Sequence, residues 1–469
     1  MNKTPFLSFL LLCLFMPAFV WSEESQSFAY LLENYLANDR SLKEIELQYE
    51  QALLSYKKTQ VQNSLSISLS SGTSVLSIDE DGAGLSLAPS LSLGLPEFQN
   101  TKAEVKFPMT VPLKENASPS IQDAGLSLSM DIISSAKKNR ALVIKKAEES
   151  LRDASQKKEA RTLAVKKEFL QSLKSIYTLQ SNLLTQEDNA LTKEVDLSLL
   201  KMQGFAESSA KYRLAYLSWQ SVLRDYEEAK RSFEKEVLDF ARKCNVEKLD
   251  LFIDLSREEL VDISEFPKTS FSAIKTSIQN YENNSLAEKA KSPFTLALNA
   301  GYGFSLSEIQ ASRTVKNTLS SGLTFKKDGL SASLGMQNNL EKIENPRFTF
   351  SLAYSFLEQA LSTIAVSEDE VQEKILMQAI ENAELTYNST VQDKQKQKDD
   401  LLWQLQKNKD QEALYADLAE DMKTWYDKGI ISTSEYKQAL TNYTKASTQV
   451  RISEIDGIIY NIDIALLFY

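Results

Sequence analysis

Apolar and small polar residues alternate along 63–134 and again along 293–357. Leu65, Ile67 and Leu69 are separated by Ser64, Ser66, Ser68 and Ser70, and Leu91, Leu93 and Leu95 keep that period. Phe294, Leu296 and Leu298 alternate with Thr295, Ala297 and Asn299. A period of two predicts strands with one apolar face and one face of small polar groups. The first region holds four such runs, at 64–70, 84–95, 102–113 and 124–133. A sheet of this kind divides an apolar medium from water. The medium is a protein core in a soluble sandwich and lipid in an outer-membrane barrel.

The rest of the chain has helical periodicity. It predicts helices over about 28–62, 136–198, 208–243, 268–291, 358–427 and 433–467, with a polar connector at about 244–267. One seven-residue series reads Tyr212, Trp219, Tyr226, Phe233, Phe240, and its companion reads Ala215, Val222, Ala229, Glu236. In the last helix Tyr436, Tyr443, Val450, Gly457 and Ile464 run beside Ala439, Ala446, Ser453, Tyr460 and Leu467. Leu163, Leu170, Tyr177 and Leu184 are also seven apart. Large residues facing small ones at this spacing make coiled-coil seams. The stretches 136–198 and 358–427 reach roughly 100 Å at 1.5 Å per residue, so they must pair with each other or with other chains.

The plan occurs twice. Leu65–Gly72 matches Phe294–Gly301, Leu126–Met130 matches Phe348–Leu352, and Gly204 matches Gly429 at nearly one offset. An internal duplication follows. The first repeat covers 23–249 (strands 63–134, helical hairpin 136–243), and the second covers 250–469 (strands 293–357, helical hairpin 358–467).

Composition narrows the function. The 469 residues include only 13 Gly and 10 Pro, which suits long helices. There is no histidine, so histidine triads, histidine general acid/base chemistry and histidine metal sites are excluded. Of two cysteines, Cys13 lies in the N-terminal apolar run, which leaves Cys244 without a partner for a disulfide or a thiolate metal site. A net charge of −11 argues against nucleic acid as partner. No catalytic constellation is visible, so neither an enzyme nor a cofactor is expected. Met1-Asn2-Lys3, the apolar run Phe6–Phe15, Pro17 and Val20-Trp21-Ser22 read as an export signal over 1–22. No later segment has 18 consecutive apolar residues, so any membrane crossing must be made by strands.

Three stretches carry a family resemblance: Lys291-Ser-Pro293-Phe-Thr-Leu-Ala-Leu298, Tyr426-Asp-Lys-Gly429-Ile-Ile-Ser432-Thr-Ser-Glu435, and the returning helix ending Asn461-Ile-Asp-Ile-Ala-Leu466. With the duplicated plan, the chain resembles the TolC family of outer-membrane efflux proteins over nearly all of 23–469. The resemblance implies an α+β membrane protein and a homotrimer. Its strands share one transmembrane β-barrel, and its helices form a coiled-coil tunnel in the periplasm. It implies a passive exit duct for efflux or type I secretion in the cell outer membrane, in contact with outer-membrane lipid. A periplasmic adaptor (membrane fusion protein) and an inner-membrane pump would open it at the helical tip. An alternative of another class is a structural or adhesive envelope protein of the same fold without pump coupling.

The sequence also departs from the family. Asp131–Ala136 and Tyr354–Gln359 lack the Pro and Gly-Gly pair that commonly precede the long helix, and Ser64 stands where the first repeat would have its proline. Each strand region is long for a family that uses two strands per repeat. The tip residues implied are Gly204, Phe205, Gly429, Ile430, Ile431, Ser432 and Glu435. The glycines supply the turns. Phe205, Ile430 and Ile431 either form a docking knob for an adaptor or tuck into the hairpin base. Glu435 is either a gate carboxylate or the third residue of a Ser432–Glu435 capping box, and one residue can do both. The first tip has no acidic residue where Glu435 stands in the second.

Overall fold

The computed structural model describes residues 27–79, 82–113, 120–247, 249, 255, 258–292, 294–309, 312–341 and 345–469. The expected export signal at 1–22 and Pro293 lie outside these residues, as does part of the connector.

The chain opens with α1 (Phe28–Asn38) and α2 (Arg40–Gln62). Seven strands follow: β1 (Ser66–Ser70), β2 (Val75–Asp79), β3 (Gly82–Leu87), β4 (Ser90–Leu95), β5 (Thr101–Lys106), β6 (Met109–Pro112) and β7 (Ser120–Ile133). Next come α3 (Ala136–Met202), α4 (Ala210–Lys243), two single 3₁₀ turns and α5 (Ser272–Ala290). The chain closes with β8 (Thr295–Ile309), β9 (Ser312–Lys327), β10 (Leu330–Asn339), β11 (Arg347–Tyr354), α6 (Phe356–Asp427) and α7 (Thr433–Leu466).

The helices match expectation within a few residues, apart from the first. Asp39 breaks the expected helix over 28–62. Its backbone is extended, at φ −70° and ψ 123°. Its side chain accepts hydrogen bonds from the Leu42 N–H at 2.9 Å and from the Ser41 hydroxyl, so the residue that ends one helix caps the next.

The chain divides into two compact units, each drawing on both repeats. The first unit comprises 1–44, 159–266 and 390–469. Its core joins Leu31 and Tyr35 of α1, Phe169, Leu173 and Ile176 of α3, Phe240 of α4, and Ile455 and Ile458 of α7. Phe169 meets Phe28, Tyr35 and Phe240 at ring-centroid distances of 5.5, 5.3 and 5.2 Å. The heptad series of α4 and α7 lie on covered faces: Tyr212, Ala229, Phe240, Ala439, Ala446, Val450, Ser453, Tyr460 and Ile464 are buried. Two ion pairs bridge α3 and α7, Lys167–Asp463 at 2.7 Å and Lys174–Asp456 at 2.6 Å.

The second unit comprises 45–158 and 267–389 and holds the sheet. All pairings are antiparallel, and the main path is β1-β4-β5-β7-β8-β9-β10-β11. A branch, β2-β3-β6, rejoins at β7. The branch resolves into the same plan as the rest. β2 prolongs β1, β3 precedes β4 in one line, and β6 prolongs β5, because β1 pairs β4 while β2 pairs β3, and β4 pairs β5 while β3 pairs β6. The first repeat thus contributes four strands, matching the number of predicted runs; three of them are composite, and β2 lies outside the predicted run 64–70, while the second repeat contributes four continuous ones. Among the described residues β1 and β11 are paired on one side only, so the sheet is open within one chain.

Candidate functional site

Two places carry the functional reading: the two faces of the sheet and the turns that close the helical hairpins.

The register fixes the faces. One rung reads Leu69, Leu91, Val105, Leu126 and Tyr302 across five strands. Another reads Met130, Leu298, Leu323, Leu334 and Phe350. This apolar face is bare. Leu69 is 81% exposed, Ile67 67%, Phe350 71% and Phe348 65%. A second protein layer is what an apolar sheet face in water would require, and among the described residues none covers these side chains.

The opposite face is polar and low. Hydroxyls meet across strands at Ser68–Ser92 (2.6 Å) and Ser333–Ser351 (2.7 Å). A Cβ placed on Gly94, Gly301, Gly303 or Gly335 would run into the hydroxyl of Ser66, Ser320, Thr318 or Thr349 respectively, so these glycines share that face with the hydroxyls. Apolar outside and small polar inside is the pattern of a lipid-embedded barrel wall.

The two tips share one geometry. In the first, the Leu200 carbonyl accepts the Phe205 N–H at 3.1 Å and the Lys201 carbonyl accepts the Gly204 N–H at 3.0 Å. In the second, Trp425 accepts from Ile430 and Tyr426 accepts from Gly429, both at 2.9 Å. Both are Schellman turns whose glycines are left-handed, at φ +78° and +70°. Each following helix is serine-capped: Ser209 accepts from the Tyr212 N–H, and Ser432 from the Glu435 N–H.

The tips differ in charge and exposure. The Ser432–Glu435 capping box is formed, with the Glu435 carboxylate accepting the Ser432 N–H and hydroxyl, each at 2.8 Å. These bonds, the backbone one foremost, hold the Glu435 carboxyl below its usual range. Ile430 is 66% exposed, Ile431 is half-buried, and Phe205 is exposed with the Lys211 ammonium 4.4 Å from its ring centre. At the base of the second tip Tyr426 and Tyr436 stack at 5.2 Å. The Lys201–Glu207 pair (3.1 Å) in the first tip was invisible to motif reading, because a local contact across a turn leaves no periodic signal.

Among the described residues no cluster of three or more acidic or cysteine side chains is arranged to hold a metal ion. No described helix is long and apolar enough to cross a membrane.

The chain has the fold of TolC-like outer-membrane channels. Solved structures with this fold include a membrane protein from Pseudomonas aeruginosa, 13% identical, with 93% of this chain and 89% of that one covered and a TM-score of 0.50. The outer membrane protein VceC from Vibrio cholerae is 11% identical, with 93% and 94% covered and a TM-score of 0.50. The chain belongs to the TP096X family: residues 31–265 match its N-terminal domain and residues 256–469 its C-terminal domain. No curated protein matches the chain in sequence.

Proposed function

We propose that this protein is the outer-membrane exit duct of a tripartite efflux or type I secretion system. The observation that carries the reading is the bare apolar face of the sheet backed by a face of hydroxyls and glycines. In a membrane the first face meets lipid and the second lines water, which supports a reading with the sheet in the outer membrane and the helices in the periplasm. Three copies form the duct. The free edges of β1 and β11 support this, since an open sheet in lipid leaves backbone donors and acceptors unpaired. So do exposed heptad stripes: Leu47, Leu54 and Val61 on α2, and Leu357, Ile364 and Val371 on α6, all awaiting partners.

A periplasmic adaptor and an inner-membrane pump dock at the tips, with Phe205 and Ile430 as apolar contacts and Ile431 seating the turn. Gly204, Gly429 and Ser432 hold the turns, and Glu435 acts first as a cap. Conductance of the purified trimer in planar bilayers, with co-purification of an adaptor, tests this reading against a purely structural or adhesive role. A stable monomer that still conducts would sink the trimer. Orientation is checked by labelling intact cells: a cysteine at Glu341, exposed in the turn that follows β10, should react from outside and one at Ile430 should not. Natural Cys244 is fully buried and its thiol is pushed up to about 12 by burial, so it should stay unlabelled.

A further inference from the structure

We infer that the sheet segment of the pore favours anions, with Lys102, Lys106 and Arg347 as the selecting side chains and Glu104 opposing them. The inference rests on the duct reading, in which the polar face is the water-facing wall.

The chain as a whole carries a net charge of −11, so an even spread would make this wall negative. The register shows the reverse. Among the described side chains, the polar face holds cations at Lys102, Lys106, Lys316, Lys326 and Arg347. Among the described side chains its carboxylates are Glu104 and Asp131. Glu104 lies 3.4 Å from the Lys106 ammonium. Asp131 accepts from Asn100 at 3.1 Å and from Ser134 at 3.3 Å, at the helix end of β7.

Across the strands the β5 cations are uncrowded, although Lys106 is paired with Glu104 along its own strand. Lys102 sits between Gly94 and Ser129, and Lys106 between Ser90 and Gly125, so no neighbour in the register is larger than a hydroxymethyl group. Both lysines are exposed. Arg347 shares the rung of Glu104 through Ser127, Gly301, Ser320 and Gln337. Fixed charges on a water-filled wall bias ion traffic within about one Debye length, roughly 8 Å at physiological salt. Repeated around a pore by symmetry, such a set becomes a selectivity ring.

The test compares full-length wild type, Lys102→Gln/Lys106→Gln, Arg347→Gln and Glu104→Gln in planar bilayers under a potassium chloride gradient. Circular dichroism and heat-modifiable gel mobility confirm folding of each. The lysine double variant should lower the chloride-to-potassium permeability ratio about twofold or more, Arg347→Gln should lower it less, and Glu104→Gln should raise it. Ratios that stay put in all three variants, or that move the same way for lysine and glutamate replacements, would overturn the inference and leave the duct reading standing. Absence of current from folded wild-type protein would remove the duct reading itself.

Discussion

In the second half of the sheet β8 and β9 run unbroken for 15 and 16 residues, whereas in the first half three of four strands are interrupted. The interruptions fall at Ser71–Ser74, Ala88–Pro89 and Phe107–Pro108, and they lie side by side. The Phe107 N–H donates to the Pro89 carbonyl at 2.9 Å. Gly72 has φ +65°, and a Cβ there would collide with the Ala88 carbonyl. A proline inside a sheet strands its neighbour's carbonyl, because it has no N–H to offer. Breaks aligned across adjacent strands confine that loss to one transverse crease and keep the ladders above and below in register. The same four-strand plan is thus built with a crease in one repeat and without one in the other.

The largest expected effect would break the idea that both halves serve one membrane. Leu93→Arg in the creased half and Leu334→Arg in the continuous half each place a cation on the apolar face. Both should lower stability by about 2–4 kcal/mol, while Ser92→Arg and Ser333→Arg on the polar face should cost far less. Unfolding in urea from lipid vesicles measures this. A cost in one half only would mean that the other half does not meet lipid.

The crease comes next. Gly72→Val meets both the left-handed backbone and the Ala88 carbonyl, and should cost roughly 2 kcal/mol or more. Gly322→Ala in the continuous half, where a Cβ meets the Leu334 carbonyl at an ordinary 3.6 Å, should stay within about 0.5 kcal/mol. Similar costs at both sites would deny the crease its special geometry.

A smaller effect sharpens the comparison at the hairpin tips. Gly204→Ala and Gly429→Ala should each cost about 1 kcal/mol and by nearly the same amount, since both turns are open to solvent and differ little in φ. Thermal unfolding of the two single variants checks the equality.

The smallest effect separates the tips. Glu435→Gln should leave stability and single-channel behaviour near wild type at neutral pH, because glutamine also completes a capping box. Glu435→Lys should alter conductance. The folded-state carboxyl lies below its ordinary 4.5, so its contribution is complete above about pH 4.5 and is lost as pH falls through the lowered value. The wild type should therefore lose thermal stability on acidification slightly faster than the Gln variant. A large loss of divalent-cation block in Glu435→Gln, with helix content unchanged, would instead make it a gate.

Much of this was legible in the sequence. Period-two runs located the four strands of the first repeat, apart from the β2 segment, and heptads located the covered faces of α4 and α7, because burial imposes those periods directly. Gly204 and Gly429 stood out as turn glycines, and both are left-handed. The crease was not legible. Pro89 and Pro108 mark breaks one at a time, and only the pairing register reveals that they adjoin. The break at Asp39 was missed because one capping aspartate inside a helical pattern resembles an ordinary surface charge. The sign of the polar face was missed for a similar reason. Lysines at 102, 106, 316 and 326 are scattered in sequence and gather on one face only through the ladder.

In the proposed duct the eight strands of each chain set the calibre of the outer-membrane pore. Three chains closing edge to edge would bring twenty-four strands, and at about 4.8 Å between strands and a tilt near 40° the ring would be on the order of 45–50 Å across between backbone axes. A hole of that calibre, left unattended, would admit solutes that the envelope exists to exclude. Leak prevention then cannot be delegated to a rigid hydrogen-bonded wall and must fall to the helical hairpins. Selection against leakiness would act most strongly on their closing turns, far from the part of the chain that meets lipid in sequence.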